Sequence, residues 1–384
     1  MMDAATPPAQ SVPDAHARSL VASYERAGYA RMQPAILQPA EPFLDLSGED
    51  IRKRMYLTAD PQGRELCLRP DLTIPVSRDY LASSQAGKPA GFCYLGAVFR
   101  HRSGGASEFL QAGIESFGRA DAAAADAEML ALGLEATAHY GLRAPDIRIG
   151  DVGLFAAVIA ALDLAPAWKR RLIKDFNHKS SLAQDLDRLT ISASHARPEY
   201  QGVLAALAGS DPKAAHALVT DLLSIAGITA VGGRSVGEIA DRFLEQAALG
   251  AQTALPRETR ALIEQFLSIT GEPHQTAAEL GAFAKDAKLK LDAALDLFES
   301  RTGFLAARGI DVGRIRFSTA FGRGLDYYTG FVFELHDPGG GEIGPIVAGG
   351  RYDGLLSRLG SPTPIPAVGF AVWIERLMAG GSAA

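Results

Sequence analysis

The sequence predicts an α+β fold, because strand patterns and helix patterns occupy different long stretches of the chain. Apolar strand patterns interrupted by glycine and proline turns fill residues 55–68, 92–118 and 316–372. Residues 154–304 are instead rich in alanine and leucine with polar breaks, which is typical of helices. With 384 residues, of which 47% are hydrophobic, the chain can bury a full core, and its length suggests two or three domains.

The N-terminal half begins with a helix and continues as strands. Residues 1–13 are small and rich in proline, so we predict a flexible N-terminus. Asp14 is the expected N-cap of a helix that ends near Gly28, and Pro34 confines the next extended segment to a sheet edge or an interface. Further strands are predicted at residues 55–60, 64–68, 92–100, 109–118 and 146–153, and further helices from residue 74 and at 126–140.

The C-terminal stretch 316–377 carries the most distinctive polar pattern. Its predicted elements are a strand that includes Gly322–Gly330, strands at Phe331–Leu335, up to Asp353 and at Ala367–Val372, and a short helix with Glu375 and Arg376. One arginine, two tyrosines and one aspartate in GRGLDYYTG favour a pocket for a small zwitterion, since arginine binds carboxylates through its planar fork and glycine lets backbone approach a ligand. Alternatively, the glycines mark bulges and the tyrosines are half-buried packing residues.

Two further segments offer candidate ligand groups. Asp71 and Thr73 lie at a predicted strand-to-helix junction, where a carboxylate and a hydroxyl can receive an ammonium group. Alternatively, Thr73 caps the helix and Asp71 interacts favourably with the helix dipole. Gln111 and Glu115 share one strand face by the period of two, and Arg100 ends the preceding strand. Gln111 and Glu115 therefore belong either to a pocket or to a solvated face.

The composition argues against several classes of protein. Lys and Arg number 38 against 44 Asp and Glu, a formal net charge of -6, which disfavours a large nucleic-acid footprint. Cys67 and Cys93 lie in apolar runs and are expected to be buried thiols of a cytoplasmic protein. The histidines of the helical stretch, namely His178, His195, His216 and His274, have no metal-ligand spacing, so we expect no metal. Neither a secretion signal nor a membrane span is predicted.

Several long segments resemble one known family. RGLDYYTGFVFE (323–334), AGGRYDGL (348–355), AVGFAVWIERL (367–377) and LRPDLTIPVSR (68–78) are similar to motifs of the histidyl-tRNA synthetases, which are class II aminoacyl-tRNA synthetases. They are still more similar to the branch of that family that forms the regulatory subunits of ATP phosphoribosyltransferase. The resemblance implies a class II-like antiparallel sheet flanked by helices, with a core at residues 14–165 and 305–384. Residues 166–304 would form a mostly helical insertion and helices that return to the core.

The resemblance also implies a site and partners. The matching histidine-binding residues are Asp71, Thr73, Arg100, Gln111, Glu115, Arg323, Tyr327, Tyr328 and Tyr352. In that reading, Arg100 and Arg323 meet the anionic end of the amino acid, Asp71, Thr73 and Gln111 its ammonium, and Glu115 with Tyr328 its ring. The implied partners are a short-form catalytic subunit, in a hetero-octamer, and a second copy of this chain through a class II-like interface. Catalytic residues, cofactors, nucleic acid and membrane are not expected.

Three departures from the synthetase pattern decide between the functions that the resemblance offers. The loop between Arg100 and Phe109 is short, Trp373 replaces a small residue where adenine would lie, and the sequence ends eight residues after Arg376, so we expect no anticodon-binding domain. These features favour a non-catalytic regulatory subunit for the first step of histidine biosynthesis, with a role in histidine feedback. Two alternatives are a truncated synthetase or paralogue that activates histidine with ATP, and a scaffold that has lost its ligand.

Overall fold

The computed structural model describes residues 15–102, 106–177, 179–190, 212–225, 236–237, 240, 255–340 and 344–381. The predicted flexible segment 1–13 and two of the histidines, His178 and His195, lie outside these ranges. The chain divides into two units, residues 1–155 with 267–384 and residues 156–266. Residues 267–304, which were predicted with the insertion and its returning helices, group with the first unit.

The first unit contains two β-sheets. Its strands are β1 (Ala30–Arg31), β2 (Leu37–Pro39), β3 (Tyr56–Ala59), β4 (Glu65–Leu68), β5 (Ala90–Phe99), β6 (Glu108–Phe117), β7 (Asp146–Asp151), β8 (Thr270–Gly271), β9 (Ile315–Ser318), β10 (Phe331–His336), β11 (Val347–Arg351) and β12 (Ala367–Trp373). The larger sheet has nine strands in the order β1-β5-β6-β12-β11-β10-β7-β9-β8, and the smaller has three in the order β2-β4-β3. The predicted hairpin around Gly63 is the β3–β4 pair.

Helices precede, interrupt and follow these strands. They are α1 (Ala15–Arg26), α2 (Glu41–Leu46), α3 (Glu49–Arg52), α4 (Thr73–Ala82), α5 (Ala122–His139), α6 (Val152–Ala161), α7 (Pro166–Asp175), α8 (Lys179–Thr190), α9 (Pro212–Ile225), α10 (Arg257–Leu267), α11 (Pro273–Asp286), α12 (Asp292–Ala307), α13 (Leu355–Arg358) and α14 (Ile374–Gly381), and Val312–Arg314 form a 3-10 turn. None of the helices in the described ranges has both the length and the apolar character needed to cross a bilayer.

The predicted antiparallel sheet is correct for the centre of the structure and wrong at two pairings. From β5 through β6, β12, β11 and β10 to β7 every neighbour is antiparallel, whereas β1 pairs with β5 and β9 pairs with β7 in parallel. The whole sheet is therefore mixed. Helices flank it as expected, and α5 packs on β10, β11 and β12 as well as on α12.

One predicted strand is not formed. Residues Gly322–Gly330 are a loop between β9 and β10, which the Thr329 backbone N–H joins to the Arg351 carbonyl at 2.9 Å. The physical reason is the local composition: three glycines in nine residues favour irregular backbone, and the polar residues do not alternate with apolar ones. The loop places its arginine and tyrosines beside the sheet rather than in it.

A buried network of charges joins α5, α12, β7 and β11. Arg301 is 2% exposed and donates to Asp126 at 2.9 Å and to Asp151 at 2.8 Å. Arg351 donates to the other oxygen of Asp126 at 2.8 Å, so this carboxylate bridges two guanidiniums. Asp151 also accepts the Gly153 N–H at the start of α6. Since each buried charge has an opposite partner, the desolvation cost is offset within the network.

The second unit, within its described residues, is built from helices α7 to α10 and the end of α6. Arg171 donates to Asp175 and to Asp185, each at 2.6 Å. Burial and the neighbouring Asp185 raise the pKa of Asp175 to about 6. A shared guanidinium thus holds two carboxylates together where α7 meets α8.

Candidate functional site

The predicted site residues converge on one cavity of about 150 Å³. Eight of the nine line it, namely Asp71, Thr73, Arg100, Gln111, Arg323, Tyr327, Tyr328 and Tyr352. The ninth, Glu115, lies one layer behind the wall and is 1% exposed. The volume corresponds to on the order of ten water positions, which suits a free amino acid better than a nucleotide.

Asp71 presents one free acceptor to this cavity. Its Oδ1 accepts the Ile74 N–H at 3.1 Å, so Asp71, and not Thr73 as the capping alternative has it, bonds to the backbone at the start of α4. Its Oδ2 is buried and has no hydrogen-bond partner among the described residues. Burial raises the pKa of Asp71, and the Arg100 guanidinium opposes that shift. A buried carboxylate oxygen without a donor costs free energy, so this geometry favours a cationic or hydrogen-bond-donating ligand.

Glu115 organises the wall behind the cavity. Thr73 Oγ1 donates to Glu115 at 2.7 Å, Tyr94 donates at 3.2 Å, and the Tyr352 hydroxyl donates to the second oxygen. Burial raises the pKa of Glu115 to about 8, although these three hydrogen bonds pull it downwards. The carboxyl group therefore carries a proton at neutral pH. Thr73 serves this network rather than the helix start.

Sequence reasoning missed Tyr94 in this network. Tyr94 pairs directly with Gly113 across the β5–β6 ladder, and a Cβ at position 113 would overlap the Tyr94 hydroxyl. A glycine between the predicted ligands Gln111 and Glu115 is the signal that could have revealed a large side chain opposite.

The loop before β10 supplies a fixed cation and an aromatic wall. Arg323 donates to the Tyr328 hydroxyl at 2.8 Å and to Glu334 at 3.2 Å. The rings of Tyr327 and Tyr328 lie 4.9 Å apart, and Tyr352 packs edge-on against Tyr327 at 5.7 Å. The Arg323 guanidinium is thus oriented by Tyr328 and Glu334, independently of a ligand.

The remaining wall of the cavity is cationic. Arg100 donates to the Pro70 carbonyl at 2.6 Å, and burial, assisted by Arg54 and Arg102, lowers its pKa to about 10. Arg100 therefore stays protonated at neutral pH and can receive an anion. Arg54 and Asp50 also line the cavity, although neither belongs to a motif that is recognisable in the sequence.

Trp373 lines the cavity next to Gln111. It lies on the same side as Gly369 and Ala371, as strand alternation predicts, and it pairs directly with Gln111 in the ladder between β6 and β12. The indole is 7% exposed, and the Arg376 guanidinium lies 5.1 Å from its ring centre. Arg376 is held in turn by the Pro345 carbonyl at 2.5 Å. The indole is therefore fixed in the cavity wall by its neighbours.

Among the residues that the structure describes, no group of His, Cys, Asp or Glu side chains is arranged to hold a metal ion. Cys67 and Cys93 are free and buried, as predicted, and burial raises the pKa of both thiols.

The sheet and its cavity define a protein of the histidyl-tRNA synthetase class. A family model described as histidyl-tRNA synthetase matches residues 2–234 and 215–377. A crystal structure from Bacillus halodurans, described as an ATP phosphoribosyltransferase regulatory subunit/histidyl-tRNA synthetase, matches with a TM-score of 0.66 and 21% identity, over 99% of this chain and 84% of that one. A histidyl-tRNA synthetase from Nostoc sp. PCC 7120 matches with a TM-score of 0.62 and 17% identity, over 99% of this chain and 75% of that one. These structures show the fold.

Curated sequences narrow the assignment. The ATP phosphoribosyltransferase regulatory subunit of Agrobacterium fabrum is 43% identical over 358 residues, covering 91% of this chain and 92% of that protein. The protein of the same name from Brucella ovis is 43% identical over 346 residues, covering 90% and 91%. The chain belongs to the family of ATP phosphoribosyltransferase regulatory subunits.

Proposed function

We propose that this chain is the regulatory subunit of an ATP phosphoribosyltransferase, that it catalyses no reaction itself, and that its cavity binds free histidine for feedback. Its relatives from Agrobacterium fabrum and Brucella ovis are named as regulatory subunits of this enzyme, and the similarity covers about nine-tenths of their length. The observation that carries the ligand assignment is the unpartnered Asp71 Oδ2, buried beside Arg100 in a cavity of amino-acid size. A zwitterion satisfies both groups, since its ammonium meets the aspartate and its carboxylate the guanidinium.

The proposed orientation follows from the wall residues. Asp71, Thr73 and Gln111 lie where the ammonium would bind, and Arg100 and Arg323 supply cations for the carboxylate. The imidazole ring would then lie towards Tyr328 and Glu115. Glu115 itself lies behind the wall, and it acts on the ring only by holding Thr73 and Tyr352 in place through the hydrogen bonds that they donate to it.

The position of Trp373 disfavours a histidine-activating enzyme. In the synthetase pattern a run of small residues lets the backbone pass under adenine, and here an indole of similar width lines the cavity at that point. Inserting such bulk into a fitted site costs about 1–3 kcal/mol unless the backbone moves. Arg376 lies against the indole and is not free to stack on a base.

The proposed assembly contains at least two kinds of contact. A catalytic subunit of the short form is the partner that the regulatory name implies, and we expect the hetero-octamer of the family resemblance. A second copy of this chain would cover the small sheet, where Ile36 before β2, Leu37 on β2, and Tyr56 and Leu57 on β3 are 36–48% exposed. Leu37 and Tyr56 both pair with Leu68 and so share one face of this sheet, where exposed apolar side chains favour a protein interface. We place the complex in the cytoplasm, where free thiols stay reduced.

Calorimetry with histidine tests the ligand assignment. The chain should bind histidine, and Asp71→Asn should weaken binding at least about tenfold, because the ammonium loses a charge-assisted hydrogen bond. Asp286→Asn is the matched control, since Asp286 is exposed at the end of α11 and far from any cavity-lining segment in sequence. Undetectable binding of histidine by both the isolated chain and its complex would refute the assignment and favour the scaffold alternative.

Mixing experiments test the regulatory role. The purified chain should support ATP phosphoribosyltransferase activity only when it is combined with the short catalytic subunit from the same organism, and histidine should reduce that activity. The chain alone should show no histidine-dependent exchange between ATP and pyrophosphate. Such exchange would instead identify a histidine-activating enzyme.

A further inference from the structure

One row of side chains crosses the large sheet from the cavity to an exposed pair of arginines. The cavity-lining Ala371 pairs with Ala348, Ala348 with Glu334, Glu334 with Arg148, and Arg148 with Arg316. Residues directly opposite in neighbouring strands project from the same face of a sheet. The two arginines therefore lie on the cavity face, two and three strands away from Ala348.

Nothing in the described residues neutralises this arginine pair. Arg148 and Arg316 are exposed and directly opposite each other on β7 and β9, while their neighbours Ile147, Ile149 and Phe317 are buried on the other face. Like charges in that position are destabilising by a few tenths of a kcal/mol to about 1 kcal/mol. An anionic group that lies over both guanidiniums would relieve this repulsion.

Glu334 does not serve as that group, although it is adjacent to Arg148. One of its oxygens accepts from Arg323 at 3.2 Å, and the other lies 3.0 Å from His336 Nε2. Its carboxylate is thus committed to the cavity arginine and to the histidine beside it. The arginine pair is left facing solvent on β7 and β9, which are both interior strands of the nine-stranded sheet.

We propose that the pair Arg148 and Arg316 is the docking point for an acidic segment of the catalytic subunit; this rests on the regulatory function proposed above. A short protein segment fits better than a nucleic acid, because Glu334 and the exposed Asp146 interrupt the cationic surface beside the pair, whereas a phosphate backbone needs cations along its length. Two guanidiniums at the spacing of neighbouring strands can each take one carboxylate through a bidentate contact. The docked segment would lie one strand away from Glu334, which is the residue that orients Arg323 in the cavity.

The test compares two double variants of equal charge change. The first double variant, Arg148→Gln with Arg316→Glu, removes both positive charges of the pair. Glutamine is chosen at position 148 because it avoids placing a second carboxylate beside Glu334. The second double variant, Arg26→Gln with Arg143→Glu, is the control, since both residues are exposed and neither belongs to a strand of the sheet; they lie at the end of α1 and before β7. Affinity for the short catalytic subunit of the same organism is measured by calorimetry at low and high salt, and histidine affinity and melting temperature are measured for each chain alone.

We expect the first variant to bind the catalytic subunit at least about tenfold more weakly and with less salt dependence, while the control matches the wild type. Both variants should melt and bind histidine as the wild type does. Equal affinity of the two variants would overturn the docking assignment and leave the regulatory function intact. Failure of the wild-type chain itself to bind the catalytic subunit would overturn both.

Discussion

Gly369 lies directly opposite Glu115 across the ladder between β6 and β12, so close that any side chain at position 369 would overlap the glutamate carboxylate. The same Cβ would also approach the Ile114 carbonyl at 2.5 Å. Both neighbours are immobile, because one is backbone and the other is held by Thr73, Tyr94 and Tyr352. This glycine therefore leaves room for the carboxyl group on which the cavity wall depends.

Gly369→Ala should displace Glu115 and loosen the wall formed by Thr73 and Tyr352. We expect a loss of about 1–3 kcal/mol in the free energy of unfolding, from overpacking, and weaker histidine binding. Urea denaturation and calorimetry measure the two effects. Gly281→Ala in α11 is the control, since nothing lies within 4 Å of its Cβ and alanine favours helix. Unchanged histidine affinity in Gly369→Ala would show that the position of Glu115 does not matter.

The raised pKa of Glu115 predicts a pH dependence of stability. The folded-state pKa of about 8 exceeds the ordinary glutamate pKa of 4.5, so the folded chain holds a proton that the unfolded chain releases in that range. The free energy of unfolding should therefore fall as pH rises from about 4.5 to about 8, by up to about 1.4 kcal/mol per pH unit from this group. Glu115→Gln should remove that component. Parallel pH profiles for the variant and the wild type would contradict the assignment.

Most residues of the site could be identified from the sequence because they lie in long local motifs. Asp71 and Thr73 flank the start of α4, and Gln111 and Glu115 share one face of β6, so local rules placed each pair correctly. That the pairs would meet in one cavity came from the family resemblance, not from periodicity. The cavity contacts of eight residues agree with that expectation.

Other parts of the site depend on long-range packing, which local patterns do not encode. Asp50 reaches the cavity from α3 and Arg54 from the turn after it, and neither residue belongs to a recognisable motif. Glu115 was expected to face the ligand, whereas the register between β6 and β12 places it behind the wall, against Gly369. The predicted strand over Gly322–Gly330 is wrong because its three glycines and its polar residues, which do not alternate with apolar ones, favour a loop.

Trp373→Gly should open the end of the cavity that the indole now fills. We expect adenine nucleotide binding to appear or strengthen, because glycine would extend the small-residue pattern of Gly369 and Ala371. Trp373→Phe, which keeps an aromatic ring there, is the matched control. Titration with ATP, followed by calorimetry or equilibrium dialysis, measures the change. Strong binding of ATP by the wild-type chain would show that the indole does not block the site.

Arg301→Met should destabilise the first unit through the buried charge network. The substitution keeps much of the side-chain volume but leaves Asp151 without its guanidinium partner, while Asp126 retains Arg351. Breaking a buried ion pair on one side costs about 3–5 kcal/mol, because the remaining charge stays desolvated. Arg308→Met is the control, since Arg308 is 39% exposed and its ion pair with Glu128 contributes at most about 1 kcal/mol. Equal urea midpoints for the two variants would show that the network does not stabilise the fold.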